Sequence, residues 1–327
     1  MKRKKLAARS FLISGVLTLF ILPLTAQAFE INTLANMPVE GDYVIGPGKI
    51  ELFLDPGQSA SRDLKVTNRT GQPLNIFIEI EDFTGDPVSS TRLLGKEAGP
   101  YSLRDFIHPE KESFVLAHGE KATLPVTISI PETAEPGGLY GAAIFTAKPV
   151  LTPKEEELEG AKGQVSITTR LATLFFVRIN GPVNEAGYLK SFTAGKKFYQ
   201  TGPIDFSVIY ENTGSVHNNP YGQIEIKNLM GKTIDSLDIT PYFVMPGFSR
   251  DKVIAWNSSL AFGRYTATLK LNRGYSNIID EAEANFWVVP IKILIIGLAV
   301  IIFIAIFIWW FTSRFELRKK NNKEPLE

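Results

Sequence analysis

Histidine and cysteine, which often carry acid–base and nucleophilic chemistry, are scarce in this chain: it has three histidines and no cysteine. His108 precedes a proline, His118 precedes a glycine in a predicted turn, and His217 lies among asparagines. None belongs to a G-x-S-x-G nucleophile elbow or an H-E-x-x-H metal pair. The lack of cysteine excludes a thiol nucleophile, a thiolate metal ligand and a disulfide. We therefore predict that the chain is not an enzyme; a catalytic triad assembled from distant positions is the open alternative.

Three acidic residues, Glu81, Asp82 and Asp86, lie close together and offer oxygen ligands of the kind that Ca²⁺ prefers. Their spacing matches no familiar calcium loop, and acidic residues at strand ends are common in solvated turns. We predict no metal site and no cofactor. A calcium site in the connection from Asp82 to His108 remains the alternative.

That same connection, from Asp82 to His108, is rich in glycine and proline and is predicted to be a long loop. Long loops in compact domains are often functional. Its three aromatic residues, Phe83, Tyr101 and Phe106, are therefore our predicted partner-binding contacts. A second irregular stretch, from Pro153 to Gly163, carries four glutamates and is predicted to be a solvated hairpin excursion.

The segment from Pro131 to Gly141 has the most distinctive composition between the two apolar ends of the chain. Two prolines and two adjacent glycines indicate a fixed bend before a strand that opens with Tyr140. We expect Tyr140 to pack across a sheet corner, with its hydroxyl binding a nearby backbone group. A contact in a ligand groove is the alternative. The stretch around Tyr265 is its predicted counterpart in the second half.

Strand patterns dominate the chain between those ends. Residues Leu74 to Ile80 and Leu124 to Ile130 alternate apolar and other residues with a period of two, and turn residues separate the short strands. No long amphipathic helical pattern occurs there. These features predict an all-β fold of two consecutive Ig-like β-sandwiches followed by one transmembrane helix. We place the first sandwich at 29–182 and the second at 183–287.

The two predicted sandwiches share short motifs. The run from Val66 to Gly71 resembles the run from Tyr210 to Gly214, each with an asparagine and a glycine at a turn. Pro56-Gly57 likewise resembles Pro246-Gly247, and both precede a strand. Asparagine and glycine tolerate the left-handed conformation that a tight turn needs. We interpret the similarity as two copies of one sandwich type.

The last apolar run, Val288 to Phe311, contains a single charge, Lys292. As a helix it would be about 36 Å long, enough to cross a hydrocarbon core of about 30 Å. The predicted membrane-interface residues are tryptophans and basic residues at its ends. They are Trp287, Lys292, Trp309, Trp310 and Arg314. The basic tail at 312–327 predicts that this end is cytoplasmic.

The N-terminus carries a basic region, an apolar region from Phe11 to Leu24 and the small-residue pattern Ala26-Gln27-Ala28. We predict a signal peptide at 1–28, with an uncleaved anchor as the alternative. The segment from Phe29 to Trp287 has 31 acidic and 24 basic residues and should lie outside the cell. Its acidic balance argues against nucleic acid as a partner.

Together, these motifs resemble the WxL-interacting surface proteins of Gram-positive bacteria, or related bacterial Ig-like surface proteins. The residues that carry the resemblance are Leu54-Asp55-Pro56-Gly57, Val66-Thr67-Asn68 and the segment from Ile130 through Tyr140-Gly141. In that family the first domain is associated with peptidoglycan binding and the second with host or partner binding. The resemblance implies both roles here.

We therefore predict a single-pass protein of the cell membrane that binds a cell-wall polymer or an envelope protein through its sandwiches, with no small-molecule substrate. Recognition would use sandwich faces, loops or an exposed strand edge. The alternative is a non-catalytic accessory or scaffold subunit of an envelope complex, whose membrane helix makes the contacts.

Overall fold

The computed structural model describes residues 28–86, 90–150, 168–257 and 262–314. The predicted signal peptide up to Gln27, the acidic excursion from Pro153 to Gly163 and the basic tail beyond Arg314 lie outside the described residues.

The first half of the chain forms two facing sheets. Its strands are β1 (Glu30–Thr33), β2 (Tyr43–Gly46), β3 (Lys49–Leu54), β4 (Ser59–Asn68), β5 (Leu74–Asp86), β6 (Ser90–Leu93), β7 (Ile107–Pro109), β8 (Ser113–Leu116), β9 (Glu120–Ser129), β10 (Gly137–Pro149) and β11 (Thr169–Ile179). The smaller sheet has the order β1-β9-β4-β2, with β7 also paired to β9. The larger sheet has the order β3-β11-β10-β5-β6, with β8 also paired to β5.

Alternation along the strands places the apolar side chains of both sheets in one shared core. In β3, for example, Ile50, Leu52 and Leu54 are buried, whereas Lys49 and Phe53 face outward. Strand β3 runs parallel to β11, and the other strand pairs of this sandwich are antiparallel. Strand β2 lies just before β3 in the chain but pairs with β4 in the smaller sheet, so the segment from Tyr43 to Leu54 contributes to both sheets.

The second half repeats this plan with fewer strands. They are β12 (Gly187–Ala194), β13 (Phe198–Tyr199), β14 (Ile204–Asn212), β15 (Tyr221–Asn228), β16 (Thr233–Ile239), β17 (Ser249–Trp256), β18 (Gly263–Asn272) and β19 (Ile279–Val288). One sheet has the order β12-β14-β17 and the other β13-β19-β18-β15-β16. Here β13 runs parallel to β19, as β3 does to β11. The core is strongly aromatic, with the rings of Tyr265 and Phe286 stacked at 5.6 Å.

A single helix, α1 (Ile291–Arg314), follows the second sandwich. It begins three residues later than the predicted start of the transmembrane segment, because Val288 is still the last residue of β19. Within the described residues it is the one helix long and apolar enough to cross a membrane, and its apolar stretch, Ile295–Arg314, is not buried in the protein. The predicted fold class, two Ig-like β-sandwiches and one C-terminal helix, is confirmed.

The asparagine turn of the first sandwich is a local anchor. Asn68 ends β4 and is fully buried. Its Nδ2 donates to the carbonyls of Gln72 and Leu116, at 2.8 Å each, and its Oδ1 accepts from the backbone N–H of Thr70 at 2.9 Å. The side chain therefore closes the turn after β4 and binds it to the end of β8.

Asn212 does the same in the second sandwich. It ends β14, is fully buried, donates to the carbonyls of Val216 and Val244 at 2.8 Å each, and accepts from the N–H of Gly214. The predicted similarity between the two asparagine runs is confirmed at the level of individual hydrogen bonds.

Pro56-Gly57 and Pro246-Gly247 each precede a strand, as predicted, but the two strands are not equivalent in the two sandwiches. Pro56-Gly57 precedes β4, whereas Pro246-Gly247 precedes β17, which pairs with β14 as β9 pairs with β4. The structural counterpart of Gly247 is Gly119, before β9. The N–H of Gly119 donates to the carbonyl of Asn68, and that of Gly247 donates to the carbonyl of Asn212. Two residues were too short a motif to identify the strand that follows.

The predicted long loop from Asp82 to His108 is also wrong in part. Strand β5 continues through Asp82 to Asp86, forms a hairpin with β6, and is followed by a 3-10 helix, Arg104–Phe106, and β7. Gly85 interrupts the strand pattern in the sequence, so the last residues of β5 were predicted to belong to a loop. A Cβ there would lie 2.5 Å from the ring of Phe248, so only glycine allows the two sandwiches to approach at this point.

Candidate functional site

Strands β10 and β11 are apolar on both faces, although the core of a sandwich needs only one. Ala143 and Phe145 of β10 point into the first core. Their neighbours Tyr140 and Ile144 point to the outer face of the larger sheet and are buried there as well, together with Phe176 of β11. A strand that is buried on both faces requires a second covering layer.

The second sandwich supplies that layer. Met245 is buried against the outer face of the larger sheet, and Phe243 and Phe248, from the same connection between β16 and β17, pack beside it. The ring centroids of Phe176 and Phe243 lie 4.8 Å apart, and those of Phe83 and Phe176 lie 5.3 Å apart. We call this buried cluster the elbow; it consists of Phe83, Tyr140, Ala142, Ile144, Phe176 and Met245.

Hydrogen bonds across the elbow fix the orientation of the two sandwiches. The hydroxyl of Tyr140 accepts a 2.8 Å hydrogen bond from the backbone N–H of His217. Glu51 Oε1 lies 3.4 Å from His217 Nε2 and accepts from Asn219 Nδ2 at 3.2 Å. The expectation that Tyr140 binds a backbone group is correct, but the group belongs to the other sandwich. Its predicted counterpart Tyr265 instead packs inside the second core.

The electrostatics of this network favour a charged glutamate. The hydrogen bond from His217, followed by the nearby ammonium of Lys49 at 2.6 Å and the amide of Asn219, lowers the pKa of Glu51 to about 2. Burial raises the pKa of the Tyr140 hydroxyl, so it stays protonated. The trio of Glu51, His217 and Tyr140 superficially resembles a catalytic set. Tyr140 is fully buried under the second sandwich, however, so its hydroxyl joins two domains and is closed to a substrate.

Because Glu51 titrates below its ordinary range, the elbow should be sensitive to acid. The lowered pKa means that Glu51 stabilises the folded protein fully above pH 4.5, and that this contribution disappears as the pH falls from 4.5 towards 2. We expect the melting temperature of Glu51→Gln to lie below that of the wild type at pH 7, with the difference shrinking over that interval. Thermal melts of both proteins from pH 7 to pH 3 measure this; a constant difference would contradict it.

The predicted partner-binding residues lie around the elbow and not on a free loop. Phe83 is buried in it, and Tyr101 is half-buried with its ring 5.9 Å from that of Tyr140. Phe106 is half-buried against the first core. The structure thus brings Phe83 and Tyr101 together and separates them from Phe106. A partner-binding role for the three remains a prediction.

The acidic residues considered for calcium have partners within the protein. Asp82 is buried, and its carboxylate accepts from the backbone N–H groups of Gly99, Leu103 and Arg104. Glu81 accepts from the N–H of Gly95 and from Arg170. Among the described residues, no three histidine or acidic side chains are grouped as metal ligands.

Beyond the elbow, the described residues leave the outer face of the larger sheet open. This open face carries exposed apolar side chains beside charged ones, and a shallow groove of about 590 Å³ crosses it. Lys148 Nζ lies 5.5 Å from the centroid of Phe77, and Arg170 pairs with Glu79. The hydroxyl of Thr146, in the same groove, is buried and has no hydrogen-bond partner among the described residues. An orphaned polar group of this kind is uncommon in folded proteins.

The edge of the second sandwich at β17 is closed to strand addition by its own charges. Arg250 and Lys252 are opposite Tyr210 and Val208 in the strand register, on the face that elsewhere forms the core. Arg250 Cζ lies 4.6 Å from the ring centroid of Phe243. Charges that point inward on an edge strand prevent the pairing of a further strand. The open face is therefore a better candidate than this edge.

The predicted membrane-interface residues lie at the two ends of α1. Trp287 is in β19, four residues before the start of the helix, and Lys292 is in the first turn of the helix. Trp309 and Trp310 are exposed near the other end, and Arg314 is the last residue of the helix. Their interfacial role remains a prediction.

Comparison with known proteins corrects the resemblance derived from the sequence. No family model matches the chain, and no curated protein matches it. The solved structures that match include a chaperone–tip adhesin complex of CFA/I fimbriae (15% identity, 76% of this chain and 99% of that chain, TM-score 0.38) and the class 5 fimbriae chaperone CfaA (14%, 76% and 100%, 0.37). A third is the CsuC–CsuE chaperone–tip adhesion subunit complex of Acinetobacter baumannii (12%, 74% and 98%, 0.36).

The resemblance to WxL-interacting proteins is therefore wrong. The motifs behind it are turn and bend residues that serve the sandwich architecture, as the hydrogen bonds of Asn68 show. The predicted binding of peptidoglycan or another cell-wall polymer therefore has no remaining support.

Proposed function

We propose that this chain is a non-catalytic, membrane-anchored protein that binds a protein partner of the cell envelope through the open face of its first sandwich. The observation that carries the proposal is the outer face of the larger sheet. One part of it is sealed by the second sandwich, and the other part is left open with exposed apolar and charged side chains.

The elbow favours a rigid binding arm over a flexible spacer. Buried aromatic side chains and the bond from His217 to Tyr140 hold the two sandwiches in one orientation. The relative orientation of the two sandwiches is therefore fixed before a partner docks on the open face, which reduces the entropic cost of binding.

The chemistry of the open face suits a protein surface. Phe77 and Val115 are exposed apolar side chains on neighbouring strands, and Lys148 and Arg170 flank them. An apolar centre with a charged rim is typical of protein–protein interfaces.

The contacts of two of the three histidines support the non-catalytic part of the proposal. His217 contacts Glu51 and Tyr140 at the elbow, and His118 Nδ1 accepts from the N–H of Gly71. Helix α1 would hold the sandwiches at the membrane, outside the cytoplasm, with the basic residues after Arg314 on the cytoplasmic side.

Site-specific photocrosslinking tests this proposal. With the photoreactive residue benzoylphenylalanine in place of Phe77 in the full chain in native membranes, we expect a discrete adduct with one protein. The matched control replaces Val44, which has similar exposure (42% against 37%) but lies on the smaller sheet. The Phe77 adduct should disappear with Lys148→Glu, whereas adducts of equal yield at both positions would contradict the proposal.

The scaffold alternative places the partner contact in α1. Replacing α1 by an unrelated transmembrane helix distinguishes the two. Under our proposal the Phe77 adduct survives the replacement, and under the alternative it is lost.

A further inference from the structure

The two ends of the second sandwich differ in what surrounds them. At one end, the connections at 212–220 and 240–248 contact the first sandwich at the elbow. At the other end, β19 finishes at Val288 and α1 begins at Ile291. The register places Phe198 beside Trp287, Gly263 beside Val288, and Asn228 beside Tyr265. The turns near these positions therefore surround the point where the helix leaves the sheet.

This end of the sandwich carries large apolar side chains, in turns and at strand ends, that nothing in the described protein covers. We call them the apolar rim: Phe198 (66% exposed), Leu229 (74%), Met230 (92%), Phe262 (61%) and Trp287 (40%). Four of the five, all but Phe198, line one groove of about 400 Å³. Single exposed apolar residues are normal on a protein surface, but a contiguous group at one end indicates a contact.

The join between the sandwich and α1 fixes the distance of the rim from the helix. It consists of Val289 and Pro290, so the last strand residue and the first helical residue are at most about 10 Å apart. The N–H of Val289 donates to the carbonyl of Tyr199 at 2.7 Å, which continues the pairing of the sheet into the join. If α1 crosses a bilayer, this short, bonded join brings the rim to the headgroup layer.

The charged residues at this end of the second sandwich also favour contact with lipid headgroups. Lys196, Lys197, Lys232 and Arg264 are exposed beside the rim. Asp205 and Asp235 also lie at this end, near the starts of β14 and β16, so the four basic residues outnumber these two acidic ones. The segment from Phe29 to Trp287 as a whole has the opposite balance, with 31 acidic and 24 basic residues. Basic residues beside exposed apolar side chains are the composition of surfaces that bind anionic lipid headgroups.

We propose that the apolar rim inserts into the outer headgroup layer of the bilayer that α1 crosses, so that the second sandwich stands on the membrane. This proposal rests on the membrane anchoring in the proposed function. Docking at the rim would add a second attachment beside the helix. Together with the elbow, it would hold the open face at a fixed height and angle above the lipid.

The absence of cysteine allows single labels to test the proposal in the full chain, reconstituted in vesicles of phosphatidylcholine and phosphatidylglycerol. A polarity-sensitive fluorophore on Met230→Cys should emit at shorter wavelength than the same label on Ile279→Cys. It should also be quenched by a nitroxide attached near the lipid headgroup. Ile279 is the matched control, because it is exposed (56%) but lies at the far end of β19, about 30 Å from the rim.

A third label, on Ile302→Cys in the middle of α1, distinguishes failure of the rim proposal from failure of the proposed membrane anchoring. If this label is quenched by a deep nitroxide while the Met230 label stays in water, the rim proposal is overturned and the anchoring stands. If the helix label is not quenched either, both are overturned. As a further check, Leu229→Glu with Phe262→Glu should abolish quenching at position 230 without changing the melting temperature, because both side chains are exposed.

Discussion

Replacing Asn68 by alanine is expected to lower the free energy of unfolding by about 3 kcal/mol. The side chain is fully buried, and its amide serves two carbonyl groups and a backbone N–H at once. Alanine leaves those groups without partners, and an unsatisfied buried polar group costs about 1–3 kcal/mol. Asn212→Ala should have a similar effect, because Asn212 makes the equivalent bonds in the second sandwich.

Chemical denaturation of the full chain in detergent measures this effect. The control is Asn32→Ala, which replaces an exposed asparagine whose side chain bonds to exposed Glu30; the free energy of unfolding should change by less than about 0.5 kcal/mol. If Asn68→Ala and Asn32→Ala unfold at the same denaturant concentration, the buried amide is not the anchor of this turn.

The asparagine turns were predictable because their chemistry is local. Asn68 and Asn212 each bond to groups within four residues, Gln72 and Val216, so the sequence around each contains most of the partners. The strands were predictable for the same reason, since a period of two reports which face is buried. The two Pro-Gly motifs precede strands that are not equivalent, because two residues of turn chemistry do not specify which strand follows.

The elbow was not predicted, because its contacts join residues far apart in sequence. Tyr140 and His217 are separated by 77 positions, and Gly85 is recognisable as a contact point only when Phe248 lies beside it. One signal was nevertheless present in the sequence. The run from Leu139 to Phe145 has no alternation, which indicates a strand buried on both faces. A sheet that is apolar on its outer face must pack against another part of the protein. The run from Leu139 to Phe145 therefore predicts such a covering layer.

The apolar rim had a weaker signal. Leu229 and Met230 precede Gly231 in a turn, where polar residues are more usual, and Phe262 precedes Gly263. Each pair alone is unremarkable, and the strand register is what places them at the same end as Trp287. Propensity cannot supply that register, since it depends on which strands pair.

Phe176→Ala is expected to uncouple the two sandwiches. The Phe176 ring is fully buried and contacts Phe83, Tyr140 and Phe243 across the elbow. Removing a buried phenylalanine costs about 3–5 kcal/mol, because apolar contact is lost and a cavity remains. Most of that loss falls on the interface between the sandwiches, since the neighbouring Phe175 and Val177 still fill the first core. We therefore expect both sandwiches to stay folded while their relative orientation becomes variable.

Spin labels on Val44→Cys and Val253→Cys, one exposed site in each sandwich, report that orientation as a distance distribution. It should be narrow in the otherwise wild-type chain and several-fold broader with Phe176→Ala. The control Phe53→Ala, on the adjacent strand but 64% exposed, should leave the distance distribution narrow.

Tyr140→Phe keeps the ring and removes only the acceptor for the N–H of His217, so it should broaden the distance distribution less than Phe176→Ala does. An unchanged distribution for Phe176→Ala would mean that the aromatic cluster does not set the angle. The short linker between β11 and β12 and the network around Glu51 would then have to fix the orientation by themselves.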